Sequence, residues 1–537
     1  MKSEFDIIVV GAGINGLTAG AYLAKSGLEV AVVERRNECG PFCMAEDIFG
    51  VGLPVGTCAV QCVTGTRPVR QHLDIDSFGF EYIETDPYHC VTWKDGKNIA
   101  IYLDYRKTAK ELERFSKKDG ETYLRIMEKY VPDLGKIWPP LMFSPASKEK
   151  MHLWWDLGKY AGFSPDDMRS MNGFELLDLL FEDEHSKMAF LAFSDVKFVG
   201  PPEEKGWGAV NTFAWMYFPY GLCKGGMHNL PHALVRCFRH HGGTLFLNAP
   251  VEKVSYEGGV AKSVVLSDEA PFPERELKAR HAVIMHVTPQ VALPILGEET
   301  LKQVSPDLTL KMQQWIMSDY CPYNSFWLIK RPTPWKSAAW NPDIMKSAIN
   351  FRAWDSWEQA HLSSSYYASE NVWKIIGDMG EVFCEAAGDP IHFSPEGYCV
   401  QTFEVEYPPW LRRYGGLKQW NDRKFTDEIH RQHTEIMEEL APGFKELIID
   451  SKYMSPMDYW RKNASAVLGH ETGGGVHRTQ GYLGRMPVRA PIPNLYFCQS
   501  TWPHGHSGLY VGHNTATVVA EDLGVRKQPW WVTPGGD

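Results

Sequence analysis

Residues 500–516 read STWPHGHSGLYVGHNTA, which sets His504, His506 and His513 among Gly505, Gly508 and Gly512. Imidazole exchanges its proton near neutral pH, so it suits proton transfer beside a redox centre. Bare backbone next to it lets a flat or anionic ligand come close. A second such pair, His470 and His477, flanks Gly473-Gly474-Gly475. The cysteines offer less. There are 11, and the two short pairs, Cys39/Cys43 and Cys58/Cys62, are each separated by three residues. Zinc pairs usually sit two or four residues apart, so ordinary buried or loop cysteines are expected, and no metal.

Groups of this kind need a ligand to act on, and the other end of the chain supplies one. Residues 6–34 read DIIVVGAGINGLTAGAYLAKSGLEVAVVE. The apolar run IIVV predicts a parallel strand buried on both faces. Gly11, Gly13 and Gly16 follow directly as G-x-G-x-x-G, a helix follows them, and VAVV is the next strand, closed by Glu34. Gly11 permits the tight turn, Gly13 the approach of a pyrophosphate, and Gly16 close packing of helix on strand. The helix N-terminus holds the phosphates, and an acid at the position of Glu34 bonds ribose hydroxyls. Strand, glycines, helix, strand and acid in register predict dinucleotide binding. The motif alone leaves FAD and NAD open.

The elements between these ends are mixed. Residues 106–130 are charged and helical in pattern, and 138–200 are rich in Trp, Phe, Leu and Met, with helices expected near 152–161 and 173–195. Gly225-Gly226-Met227 leads into a helix over 229–241. A hairpin turning at Gly258-Gly259 follows, then a buried strand within 279–290. Residues 321–332 and 398–407 alternate as half-buried strands do, and 425–441 read as a helix stopped by Pro442-Gly443. The 537 residues hold 55 Lys and Arg against 66 Asp and Glu, a net charge of −11 with no basic block. Nucleic acid and anionic membranes are therefore not expected as partners. Neither a cleavable leader nor a transmembrane run is legible, so a cytoplasmic protein is expected, with peripheral membrane contact left open. The 19 tryptophans suit an apolar or aromatic small-molecule substrate, or simply a large core.

In this order, the opening block, KGGMHNLPHALVRCFRHHGGTLFLNAPVEKV, SPMDY at 455–459, GHETGGGVH at 469–477 and NLYFCQSTWPHGHSG at 494–508 resemble the phytoene desaturase-like branch of the FAD-dependent amine oxidase superfamily. That branch includes carotenoid desaturases, carotenoid isomerases and retinol saturases. The resemblance implies an α/β and α+β fold, with a Rossmann-type FAD domain built from three discontinuous segments and an interleaved substrate domain of mixed sheet plus helices. The segments expected are 1–75, 219–295 and 465–537 for FAD, and 76–218 and 296–464 for substrate. FAD contacts are expected from Gly11, Gly13, Asn15, Gly16, Glu34, Arg35, Val251, Thr501, Gly508 and Leu509. Val251 reads equally well as an ordinary buried strand residue. Two departures stand out: Gly40-Pro41-Phe42 replaces the usual Gly-Gly-Arg, and Pro503-His504-Gly505-His506 replaces a glycine-rich turn.

The reaction implied is desaturation, with hydride passing to flavin N5 and His504 or His506 taking the accompanying proton. Trp502, His470 and His477 are candidates to meet substrate, whereas His513, inside the closing helix, is expected to be structural. A double-bond isomerase or saturase, an amine or alcohol oxidase, and a non-catalytic flavoprotein partner are the alternatives.

Overall fold

The computed structural model describes residues 2–63, 67–196, 202–317, 321–368, 379–410, 415–470, 473–475, 480, 483–498, 508–526 and 528–532. Its larger strands are, in chain order, β1 (Glu4–Val10), β2 (Val30–Val33), β3 (His89–Thr92), β4 (Asn98–Ile101) and β5 (Thr244–Phe246). Next come β6 (Val251–Glu257), β7 (Val260–Leu266), β8 (Glu276–Met285), β9 (Cys321–Ile329) and β10 (Ile349–Arg352). The last are β11 (Gly380–Phe383), β12 (Cys399–Tyr407), β13 (Ile448–Met454) and β14 (Leu495–Phe497).

The first sheet runs β5-β2-β1-β8-β7-β6, with β14 also on β8. Its centre is parallel: β1 lies between β2 and β8, and β5 extends it beyond β2. Ile7, Ile8, Val9 and Val10 are all buried, as a strand covered on both faces requires. β8 changes partner along its length. Glu276 to Lys278 pair with the hairpin strand β7, and Val283 to Met285 pair in parallel with β14. Strands from distant parts of the sequence thus meet at one sheet edge, where their carboxyl ends open onto a common crevice.

Three helices complete this layer: α1 (Ile14–Lys25), α2 (Asn229–His240) and α3 (Tyr510–Asp522). α1 packs between α2 and α3. A methyl on Gly512 would lie 2.3 Å from the carbonyl oxygen of Asn15, so that crossing demands glycine. The Gly512 N–H donates to Asn15 Oδ1 at 2.9 Å. Beyond α3, Trp531 packs on Tyr22 with ring centroids 4.7 Å apart and donates its indole N–H to His513 Nε2 at 3.1 Å. His513 is fully buried, as a structural residue should be.

The second sheet runs β13-β9-β12-β11-β10-β3-β4 and is antiparallel except where β10 meets β3. One face carries Tyr323, Trp327, Phe403 and Val405 into a core under the helix Arg423–Leu440. The other carries Asn324, Phe326, Glu404 and Glu381 toward the chain of residues 53–61. A helical layer from Tyr105 to Trp215 adjoins this sheet. Here the structure divides what the sequence pattern joins. The charged stretch is two helices, Tyr105–Glu113 and Lys117–Tyr130, separated where Ser116 caps the second. Residues 173–195 split into Gly173–Leu180 and Glu184–Val196, because buried Asp119 captures the N–H groups of Glu182 and Asp183 at 2.8 and 3.0 Å. The expected helix at 152–161 is the shorter Met151–Trp155 with a 3-10 extension to Tyr160.

Burial holds several histidines neutral. His89 and His513 are pushed down to about 3 and His430 to about 4, with desolvation the leading cause for each. His433 is lowered as well. A histidine whose folded pKa is depressed contributes stability that is full above its unfolded pKa, about 6.5. That stability is lost as pH falls from there toward the folded value. The unfolding free energy should therefore drop between about pH 6.5 and 4, by up to about 1.4 kcal/mol per pH unit for each such histidine, and the melting temperature should fall with it. Thermal unfolding followed by circular dichroism checks this, and a flat profile in that window contradicts it.

Candidate cofactor site

Where the parallel strands end, a cavity of about 520 Å³ opens. That is within the size range of cofactor pockets. It is walled by chain from five places: residues within 10–15, within 33–43, 249–251 with 267–269, within 286–295, and 463–465 with Gly473 and Cys498. The glycine turn forms its floor. Gly11 has φ +104°, outside the range a side chain favours, and a methyl there would lie 2.5 Å from the carbonyl oxygen of His286. A methyl on Gly16 would lie 2.2 Å from the carbonyl oxygen of Gly11. Gly16 is therefore a packing glycine and does not itself line the cavity, whereas Gly11, Gly13 and Asn15 do.

Glu34 ends β2 at the cavity wall and is 6% exposed. Its Oε2 accepts the Ala12 N–H and its Oε1 the Arg36 N–H, both at 2.9 Å. Burial raises its pKa, and these two N–H groups oppose the rise. Each oxygen keeps lone-pair capacity for a ribose hydroxyl. Arg35 also lines the cavity, and so does Arg36, which no sequence motif singles out. Arg36 Nη1 donates to the carbonyl oxygen of Lys462 at 2.6 Å, fastening the first segment to the start of the 463–465 wall. Ala249, Pro250 and Val251 line the far end. Gly40, Pro41 and Phe42 line it too, so that departure from the family pattern still borders the cavity.

The Gly473-Gly474-Gly475 triplet is held from behind. Arg485 is 7% exposed, and its guanidinium donates to the carbonyl oxygens of Gly474 and Gly475 at 3.0–3.1 Å. Trp315 Nε1 donates to the carbonyl oxygen of Gly473 at 3.1 Å. Burial pulls the Arg485 pKa down to about 10. Three successive carbonyls are thus drawn away toward fixed donors, and Gly473 itself faces the cavity. A methyl on Gly474, at φ +142°, would lie 2.2 Å from the Trp315 indole nitrogen. Nothing in the spacing of the sequence points to Arg485 or Trp315, because both act only through the folded loop.

Other predicted residues stand elsewhere. Leu509 is buried at the start of α3 in a left-handed conformation, and Gly508 packs under the Tyr510 ring; neither lines the cavity. His470 is buried and does not line it either. Thr501, Trp502, His504, His506 and His477 lie outside the described residues.

A turn that excludes Cβ atoms, a buried carboxylate one strand away and a pocket of this volume fit an adenine dinucleotide. Residues 9–73 match the NAD(P)-binding Rossmann-like domain. Residues 90–374 match the flavin containing amine oxidoreductase family. The chain belongs to that family. It is an FAD-dependent oxidoreductase, and the desaturase resemblance is borne out by its relatives. It is 23% identical to a chain of the limonene dehydrogenase of Castellaniella defragrans, over 99% of this chain and 97% of that one. It is 24% identical to a 4,4'-diapophytoene desaturase of Methylomonas, over 60% of this chain and 61% of the relative. A redesigned putrescine oxidase shares the fold at a TM-score of 0.61 and 15% identity, covering 97% of this chain and all of that one. Among the described residues, no helix is long and apolar enough to cross a membrane.

Past Ala59, at the edge of the cavity, the chain meets the inner face of the second sheet. Gln61 Nε2 donates to Glu381 Oε2 at 2.9 Å, and Asn324 Nδ2 donates to Glu404 Oε2 at 2.7 Å. Glu381 and Glu404 are directly opposite in register and both buried. Asn324 also donates to the Tyr459 hydroxyl at 2.6 Å, and Tyr459 donates to the carbonyl oxygen of Thr57 at 2.5 Å.

Two outcomes are expected. Glu34→Ala should weaken FAD binding by roughly 1.5–3 kcal/mol, the worth of a hydrogen bond to a charged group, with the fold retained. Titration of apoprotein checks it, and unchanged affinity contradicts the ribose role. Arg485→Ala should perturb the visible absorption and circular dichroism of bound flavin, with Arg485→Lys restoring part of the change. Identical flavin spectra in parent and Arg485→Ala would show that the guanidinium does not set the glycine loop.

Proposed function

We propose that this chain is a dehydrogenase of the desaturase type, acting on an apolar, isoprenoid-like small molecule. The observation that carries the reading is the extent of its likeness to the limonene dehydrogenase chain. Both chains are covered almost end to end, so cofactor and substrate regions correspond together. Bound FAD would supply the acceptor for a hydride leaving a substrate carbon.

The chain's own residues supply the rest. Gly11, Gly13 and Asn15 hold the dinucleotide at the turn, and Glu34 with Arg35 and Val251 fixes its adenosine end. His504 or His506 takes the proton from the carbon adjacent to the one that loses hydride. Trp502, His470 and His477 belong to the substrate side, and Thr501, Gly508 and Leu509 to the flavin side. The partition into FAD segments 1–75, 219–295 and 465–537, with substrate segments 76–218 and 296–464, is part of the same proposal. An amine or alcohol oxidase is the second reading. Glu381, Glu404 and Asn324 favour it, because carboxylates and an amide on the substrate sheet would suit a polar or cationic substrate.

Anaerobic mixing with monoterpene and longer isoprenoid hydrocarbons should bleach the flavin, whereas primary amines and alcohols should not. The reverse pattern would replace the first reading with the second. His504→Ala and His506→Ala, made separately, should differ. The residue that takes the proton should lose roughly 10²–10⁴-fold in the rate of flavin reduction, and the other should stay within a few-fold. If both stay close to the parent, neither histidine is the proton acceptor.

A further inference from the structure

His286 stands just past the carboxyl end of β8, in the cavity wall. All three glycines of the turn face it. A methyl on Gly13 would lie 2.6 Å from its Nε2, one on Gly16 would lie 2.8 Å from its Cδ2, and one on Gly11 would lie 2.5 Å from its carbonyl oxygen. The ring is therefore lodged in the turn itself. Its Nδ1 lies 2.5 Å from the carbonyl oxygen of Cys498. A carbonyl only accepts, so Nδ1 carries the proton, and in the neutral ring Nε2 is left as an acceptor. That nitrogen sits where N–H groups and the helix dipole of α1 draw in phosphate. A phosphate oxygen is also only an acceptor. The two repel unless a proton comes between them.

We propose that His286 takes up a proton when the dinucleotide binds, and that its imidazolium then donates Nε2–H to the pyrophosphate. The inference rests on the FAD assignment above and adds a proton to it. Two surroundings keep the ring neutral in the free protein. Burial lowers its pKa, although the Cys498 carbonyl opposes this. The first turn of α1 carries no acidic residue to offset a cation. Two phosphate charges reverse that balance. The charged groups sharing the cavity wall are Glu34, Arg35, Arg36, Asp268 and Glu269, with Cys43 and Cys498 as its thiols. Glu34 is the one among these acids that is buried, so it is the rival site for an incoming proton. His504 and His506, in the segment after Cys498, lie outside the described residues and are rivals as well.

The test is calorimetric titration of apoprotein with FAD, in two buffers of different ionisation enthalpy, across the neutral range. The pyrophosphate is fully ionised there, so any proton taken up belongs to the protein. The parent should show net uptake, and its affinity for FAD should fall by up to about tenfold per pH unit as pH rises. His286→Asn retains an N–H donor without a titrating ring; it should show no uptake and a flat affinity profile. Tight FAD binding by the parent without proton uptake overturns the inference alone, whatever the variant does. Uptake of parental size in His286→Asn also overturns it, and assigns the proton to Glu34 or to a C-terminal histidine. Failure of the parent to bind FAD at any pH overturns the FAD assignment and this inference with it.

Discussion

Everything in the cofactor layer depends on how closely α1 can approach the end of β8. Gly16 sits against the carbonyl of Gly11, and the imidazole of His286 fills the space the missing side chains leave. A single methyl at any of these glycines would collide with backbone or ring atoms at well under 3 Å. The dense packing of interiors offers no slack to absorb such a group. Because α1 is also clamped between α2 and α3, a shift there would move the whole helical layer, including the crossing at Gly512 and Asn15. The turn that lines the cavity is thus also the pivot on which the surrounding helices are assembled.

The second organising feature is the use of fixed donors and acceptors to aim backbone. Glu34 takes the N–H groups of Ala12 and Arg36, which sets the spacing between turn and strand end. Arg485 and Trp315 take the carbonyls of the glycine triplet. Asp119 draws two N–H groups together and ends a helix. In each case one buried polar side chain satisfies main-chain groups that regular secondary structure leaves unpaired, a cost that would otherwise fall on the fold. The loops so held are positioned with the rigidity of the sheets beside them.

These two features explain what can be read from the sequence. The fingerprint, both strands of its unit, the hairpin at Gly258-Gly259 and the closing helix are local patterns, and they recur at the expected residues. Glu34 is legible because its distance from Gly11 follows from one helix and two turns. Arg36, His286, Trp315 and Arg485 are not. The partners of the first three lie far away in the chain, at Lys462, Cys498 and Gly473, and Arg485 meets Gly474, 11 residues before it, only through an irregular loop with no period to encode the contact. The single helix expected over 173–195 fails for the same reason, since its break is imposed by Asp119 from more than fifty residues upstream. Gly16, Gly508 and Leu509 fall behind the cavity wall because motif membership fixes a residue's neighbourhood without fixing which atoms face the ligand.

The cavity walls come from remote segments, and this has a thermodynamic consequence. Residues within 10–15, 249–251, within 286–295, 463–465 and Gly473 converge only in the folded chain, so the unfolded protein has no site for the dinucleotide. A ligand that binds only the folded state stabilises it by RT ln(1 + [L]/Kd), about 4 kcal/mol when it is present at a thousand times its Kd. The chain joins two of these walls directly as well, through Arg36 to Lys462, Lys462 to Glu46 and Thr57, and Tyr459 to Thr57. Cofactor and fold therefore support each other. The same interleaving carries the chain from Ala59 at the cavity wall to Gln61, which bonds Glu381 on the polar inner face of the second sheet. One continuous stretch of chain, from Glu34 to Gln61, thus joins the cavity wall to the inner face of the second sheet.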